Sequence, residues 1–189
     1  MKVTFVALSV AAATALPVAT ALPVAAAAPV SAASEQVVWS SGVVGASAFG
    51  YDEAFVPAGA RIGVVAVYAG RSTTMVMLRV RGLVANREYG SHVHQRACGP
   101  SPADAGGHFQ RVVDPVQPSV DPAYANPRNE LWLDFRTDAR GGGWALAVVG
   151  WQFGERRAGS VVIHDHRTAT GPGHAGTAGP RYGCLTVPF

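Results

Sequence analysis

Hydrophobic and polar positions along this chain follow strand periods. Residues 73–80 read Thr-Thr-Met-Val-Met-Leu-Arg-Val, a partial alternation that suits a half-buried strand. Runs at 36–39, 61–68, 91–94, 130–135, 144–149, 160–164 and 185–187 are rich in Val, Ile and other β-formers. Clusters of Gly, Pro and Asn separate them. No stretch carries a convincing helical period, and there is no internal repeat. About eight short strands with turn signals between them predict an all-β, antiparallel sandwich or barrel.

Two segments fit no strand. Residues 110–128 contain Pro115, Pro118, Pro122 and Pro127, and residues 165–180 are glycine-rich around Gly171-Pro172-Gly173. Long irregular segments in a compact domain are commonly functional.

The N-terminus belongs to a different class. Met1-Lys2 is followed by an apolar, Ala-rich stretch to Ala33, the pattern of a secretory signal peptide over 1–33. Val30-Ser31-Ala32 and Ser31-Ala32-Ala33 both fit a small-x-small cleavage site. Pro17, Pro23 and Pro29 interrupt the stretch, whereas a spanning helix needs about 20 continuous apolar residues. The expected mature chain is therefore one secreted domain, 34–189, extracellular or in the cell envelope, with no membrane contact once the leader is removed. In an exported protein the pair Cys98 and Cys184 favours a disulfide. Net charge is +3, and Arg156-Arg157 is the only adjacent basic pair of the mature chain. No arginine stripe with interleaved aromatics appears, which argues against nucleic acid as a partner. A mild positive balance attracts small anions.

Four of the six histidines carry the chemistry. His92 and His94 form an H-x-H pair, and strand alternation puts both imidazoles on one face. His108 follows Gly106-Gly107, and His164 ends Val161-Val162-Ile163. An all-imidazole set suits copper or zinc.

These residues have recognisable surroundings. Arg81-Gly82-Leu83 precedes Ser91-His92-Val93-His94, and Cys98 follows. Then come Gly106-Gly107-His108-Phe109, Gly159-Ser160-Val161-Val162-Ile163-His164 and Gly179-Pro180-Arg181-Tyr182-Gly183-Cys184. In that order, from about Val64 to Cys184, they resemble the copper–zinc superoxide dismutase family. The resemblance implies a Greek-key, immunoglobulin-like β-sandwich or flattened barrel. It places His92, His94, His108 and His164 on the copper ligands, with His108 on the histidine that bridges copper and zinc in bimetallic members. It places Arg181, three residues before Cys184, on the active-site arginine.

The zinc half departs from the family. The segment 110–128 holds no histidine, and Glu130-Leu131 stands where the family has its zinc aspartate and following leucine. One carboxylate and one histidine make a poor zinc site, since structural zinc normally takes four ligands. The chain thus resembles the copper-only members. Without zinc, His108 needs another partner for its second nitrogen; Glu130 is the first candidate and Asp114 the second. The aspartate that links the two metal sites in the family has no clear match, and Thr168 lies near its place. His166 and His174 match nothing in the pattern and read as solvated loop residues.

Other chemistries find little support. There is no G-x-S-x-G, and Gly141-Gly142-Gly143 reads as a hairpin turn rather than a phosphate loop. Asp134 and Asp138 are explained by a strand and its turn. The expected function is copper-dependent dismutation of superoxide to O2 and H2O2, with His108 and Arg181 acting on the substrate. The alternative is a non-catalytic copper-binding or copper-delivery protein on the same fold.

Overall fold

The computed structural model describes residues 36–43, 45 and 48–189, with only Met1 before them, and the backbone alone for 36–39. The expected leader and its cleavage point lie outside these residues. Nine strands form: β1 (Gln36–Val43), β2 (Phe49–Gly50), β3 (Arg61–Ala69), β4 (Thr73–Arg81), β5 (Glu88–His94), β6 (Phe135–Arg136), β7 (Gly143–Val149), β8 (Ser160–His164) and β9 (Arg181–Thr186). They pair antiparallel into a four-stranded sheet, β1-β3-β4-β7, and a five-stranded sheet, β2-β9-β8-β5-β6. The chain leaves the first sheet after β4 and returns beside it at β7. It then crosses again to lay β8 against β5. These are Greek-key connections.

Alternation builds the core. In β3 and β4, Ile62, Val64, Ala66, Tyr68, Val76, Leu78 and Val80 all point inward and are buried. Burial of each large apolar side chain contributes roughly 1.5–3 kcal/mol. Phe109, Trp151, Phe153 and Phe189 close one end of this core as an aromatic cluster. No helix among the described residues is long and apolar enough to cross a membrane.

The run expected at 130–135 is a regular strand only at its end. Before that it follows β5 through a single bridge, Trp132 to His92, and through bonds from Val93 N–H to Leu131 O and Leu133 N–H to Ser91 O. Leu131, Leu133 and Phe135 are buried in the core, so Glu130, Trp132 and Asp134 face the other way. A second segment docks on the same edge, where Phe109 N–H reaches Val93 O and Gln95 N–H reaches Gly107 O. The edge of β5 thereby collects two chain segments that local pattern alone does not bring together.

On its outer face the five-stranded sheet is roofed by 165–180. The approach is close at Gly90, where an added Cβ would lie 2.4 Å from His166 O and 2.7 Å from the Ala178 Cβ. Backbone bonds Asp165–Pro180, His166–Ala178 and Ala169–Thr177 hold the roof. Segment 110–128 is also ordered by side chains. Asn129 Nδ2 donates to Val112 O and Tyr124 O, while the Asp114 carboxylate accepts from Val116 N–H and Ser119 O–H.

Cys98 and Cys184 form a disulfide across a sequence separation of 86. It ties the 3-10 turn Pro102–Ala105 region to β9, because Cys184 packs against Ala105 and Val162. Loop entropy for a closure of this length corresponds to about 4.6 kcal/mol. Replacing both cysteines by serine should lower unfolding stability by about that amount. Chemical denaturation checks this, and an unchanged midpoint would rule the contribution out.

Candidate metal centre

β5 and β8 present the histidines. The register pairs His164 with Gly90, and His92 and His94 with Val162 and Ser160. Residues 90, 92, 94, 160, 162 and 164 therefore share the outer face of the sheet. His108 joins through its bridge to His94. One ring nitrogen from each of His92, His94, His108 and His164 lies within 4.8 Å of all the others. Three of these side chains are buried, and His108 is the one partly open to solvent.

The remaining nitrogens set the tautomers. His94 Nδ1 is 3.0 Å from Gly106 O and His164 Nδ1 is 3.2 Å from Gly179 O. His108 Nδ1 is 2.8 Å from Glu130 Oε2. Carbonyls and carboxylates only accept, so each of these nitrogens carries the hydrogen. His92 is fixed through a hydroxyl. Thr168 Oγ1 donates to Asp134 Oδ1 at 2.6 Å and lies 2.6 Å from His92 Nε2. With its hydrogen spent on the carboxylate, the hydroxyl oxygen accepts from His92 Nε2–H. The opposite nitrogen, His92 Nδ1, is buried with no partner.

Four lone pairs thus converge: His92 Nδ1 and the Nε2 atoms of His94, His108 and His164. His94 Nε2 and His164 Nε2 face each other at 3.2 Å. With both Nδ1 atoms donating, neither nitrogen can donate to the other, so this contact is repulsive until a cation lies between them. A proton is a poor candidate. Burial, with the neighbouring histidines and Arg181 adding to it, holds His92 and His94 well below the usual imidazole range. Burial and the His108 ring bring His164 down to about 3. A buried orphan nitrogen and two opposed lone pairs fit a metal ion that takes borderline nitrogen donors.

Around these rings lies a shell of hydrogen bonds. Glu130 is buried and accepts from His108 Nδ1, from Trp132 Nε1 at 2.7 Å and from Gln110 Nε2 at 2.8 Å. Asp114 stands apart from His108 and serves its own loop. Arg181 donates from Nη1 to Pro102 O at 2.6 Å and from Nη2 to Gly106 O at 2.7 Å. Gly106 O therefore holds both His94 and Arg181. Burial lowers the pKa of Arg181, and a guanidinium remains a cation even so. His166 and His174 are both exposed and outside the cluster.

Asp134, Trp132 and Gln110 were not read as site residues in the sequence. The signal lay in 130–135: Glu, Trp and Asp alternate there with Leu, Leu and Phe. Polar residues at period 2 beside an apolar face place all three toward the histidines.

No family model and no curated protein matches the sequence. Solved structures do. The Cu/Zn superoxide dismutase of Brucella abortus superposes with a TM-score of 0.53 at 17% identity, over 82% of this chain and 100% of that one. A double mutant of a superoxide dismutase-like protein of Bacillus subtilis gives 0.51 at 16% identity, over 67% and 88%. The clock protein EA4 gives 0.51 at 18% identity, over 82% and 92%. At these identities the likeness is one of fold. The chain has the superoxide dismutase-like β-sandwich, and on it a four-histidine site able to hold a metal ion.

The neutral imidazoles make the metal-free protein acid-sensitive. Unfolded histidine takes up a proton near pH 6.5, while His92, His94 and His164 resist it in the fold. Their folded pKa values are depressed, so their contribution is present above about pH 6.5 and is lost as pH falls toward about 3 for His164. Each adds up to about 1.4 kcal/mol of lost stability per pH unit in that window. Urea titrations of the metal-free chain from pH 7.5 to 5 should show this loss, and His164→Gln should reduce its slope. Identical slopes would contradict it.

Proposed function

We propose that this chain is an exported, copper-only superoxide dismutase, with 1–33 as its signal peptide. The observation that carries the reading is the convergence of four oriented imidazole lone pairs beside a fixed guanidinium. Copper is preferred over zinc because these four histidines fall on the copper ligands of the resembled family, and a given nitrogen site binds Cu²⁺ more tightly than Zn²⁺. In bimetallic members of the resembled family the second nitrogen of that histidine carries zinc; here Glu130 takes it. Segment 110–128, which would supply zinc ligands, is organised by Asn129, Asp114 and Gln110 instead.

His92 Nδ1 and the Nε2 atoms of His94, His108 and His164 would hold the ion. When bound, copper supplies alternate one-electron acceptance and donation, so that two superoxide anions and two protons become O2 and H2O2. The chain's own residues do the rest. Arg181, pinned by Pro102 O and Gly106 O, draws the anion in and hydrogen-bonds it. His108 Nε2, when it is not holding the ion, is the atom assigned to carry and deliver a proton, while the Nδ1 hydrogen stays in its bond to Glu130. The Asp134–Thr168 pair keeps His92 Nε2 protonated and its Nδ1 free.

Metal analysis and a superoxide assay on the copper-loaded chain test this. About one copper per chain is expected, with zinc below stoichiometry. Arg181→Ala should leave copper content unchanged, slow dismutation and weaken its salt dependence, because a fixed cation's pull on an anion is screened over about 8–10 Å. His164→Ala should lower copper occupancy. In a copper carrier Arg181→Ala is silent. Loaded protein no faster per metal than free copper would defeat the enzyme reading, and stoichiometric zinc at a second site would defeat the copper-only reading.

A further inference from the structure

The four-stranded sheet has an outer face of unusual chemistry. Strand pairing sets it out in rows: Arg61 beside Arg81, then Gly63, Arg79 and Trp144, then Val65, Met77 and Leu146, then Val67, Met75 and Val148. No Asp or Glu occurs in any of its strands. Arg136 and Arg140 join Arg79, Arg81 and Trp144 around an open groove at the cationic end. All five arginines are exposed, and among the described residues none is in an ion pair. The carboxylate bordering the groove, Asp138, accepts from the backbone N–H groups of Arg140 and Gly142. Beside the cations, Trp144 is 68% exposed, Val148 56%, Leu146 54% and Met77 45%.

Contiguous apolar exposure marks an interaction surface. Its occupant must suit cations, an aromatic and aliphatic groups together on one flat face. A soluble polyanion would satisfy the arginines and leave Leu146 and Val148 in water. A second copy of this chain would bring two sets of five arginines together with one groove-edge carboxylate, Asp138, from each copy, an excess of like charge. An anionic bilayer suits all three rows. Guanidinium groups bind phosphate through several donors, tryptophan favours the headgroup level, and exposed aliphatic groups sink below it.

We propose that this face docks the protein peripherally on an anionic phospholipid surface. The histidines lie on the outer face of the opposite sheet, so docking leaves the metal centre toward solvent. Linear sequence conceals the feature, since its arginines come from β3, β4, β6 and the turn before β7.

The test is co-sedimentation of the full chain with phosphatidylcholine vesicles, pure or containing one-third phosphatidylglycerol. Binding should require phosphatidylglycerol, weaken with salt, and shift tryptophan emission to the blue in a way reduced by Trp144→Phe. Arg79→Glu with Arg81→Glu should weaken binding by about tenfold or more. Leu146→Thr with Val148→Thr, which keeps strand-forming residues, should also weaken it. Unchanged thermal midpoints verify that both variants fold. Three results would overturn the proposal. One is vesicle binding that both variants leave untouched. Another is binding to duplex DNA or a sulfated polysaccharide that needs the arginines but ignores Leu146 and Val148. The last is a dimer in sedimentation that Leu146→Thr dissolves, which would place a second copy on the face.

Discussion

Everything at the histidine cluster depends on one electrostatic conflict. His94 Nε2 and His164 Nε2 are held 3.2 Å apart with their lone pairs opposed, and neither can turn away. Each ring is pinned from behind by a carbonyl, Gly106 O or Gly179 O. Those carbonyls belong to chain segments clamped elsewhere: Gly106 next to the turn that the disulfide region holds, Gly179 in the roof that closes on Gly90. Burial removes the proton that would otherwise relieve the conflict. The fold therefore stores a cation requirement at that point, and it does so with backbone oxygens rather than with charge.

Carboxylates complete the arrangement on the other side. Glu130 and Asp134 lie four residues apart on one extended segment, on the same face. One reaches His108 directly and the other reaches His92 through the Thr168 hydroxyl. The difference matters. A carboxylate bonded straight to a ring nitrogen raises the basicity of the opposite nitrogen, whereas a neutral hydroxyl between them mainly fixes the tautomer. His108, the most exposed of the four rings, thus has the stronger acceptor behind it, and the fully buried His92 has the gentler one. Glu130 also accepts from Trp132 and Gln110, which makes a buried charge tolerable without a metal beside it.

The strands around the histidines were legible because their patterns are strong. Those at 61–69, 73–81, 143–149 and 160–164 differ from expectation by a residue at most at either end. β9 begins four residues before its expected start at 185. Arg181-Tyr182-Gly183 looks like a turn, yet it pairs with β8, and Gly183 is small because Val56 packs 3.2 Å from where its Cβ would be. β2, two residues long, carries no pattern at all. The pattern shows Asp134 only as a strand residue, because its link to His92 runs through Thr168, which approaches from a distant loop. Segment 110–128 reads as structureless because its order comes from side chains, with Asn129 bonding backbone at Val112 and Tyr124 and Asp114 bonding Val116 N–H and Ser119 O–H, and no periodicity records such bonds.

Charge was the least legible property. A net charge of +3 describes neither outer face of the sandwich. Arg61, Arg79 and Arg81 sit on the acid-free sheet, and Arg136 and Arg140 join them at the groove along its edge. At the metal face the balance is local: Arg181 and Arg96 stand near the 102–106 segment, with Glu130 and Asp134 buried or half-buried behind the rings. Beyond about 8–10 Å, exposed charges are screened at physiological salt, and two stacked sheets are already about 10 Å apart between their mean planes. The cations of the far sheet therefore add little to the field that an anion meets at Arg181. Under the proposed function, anion attraction at the histidine site falls to that one guanidinium and its immediate neighbours, and two backbone carbonyls fix its position.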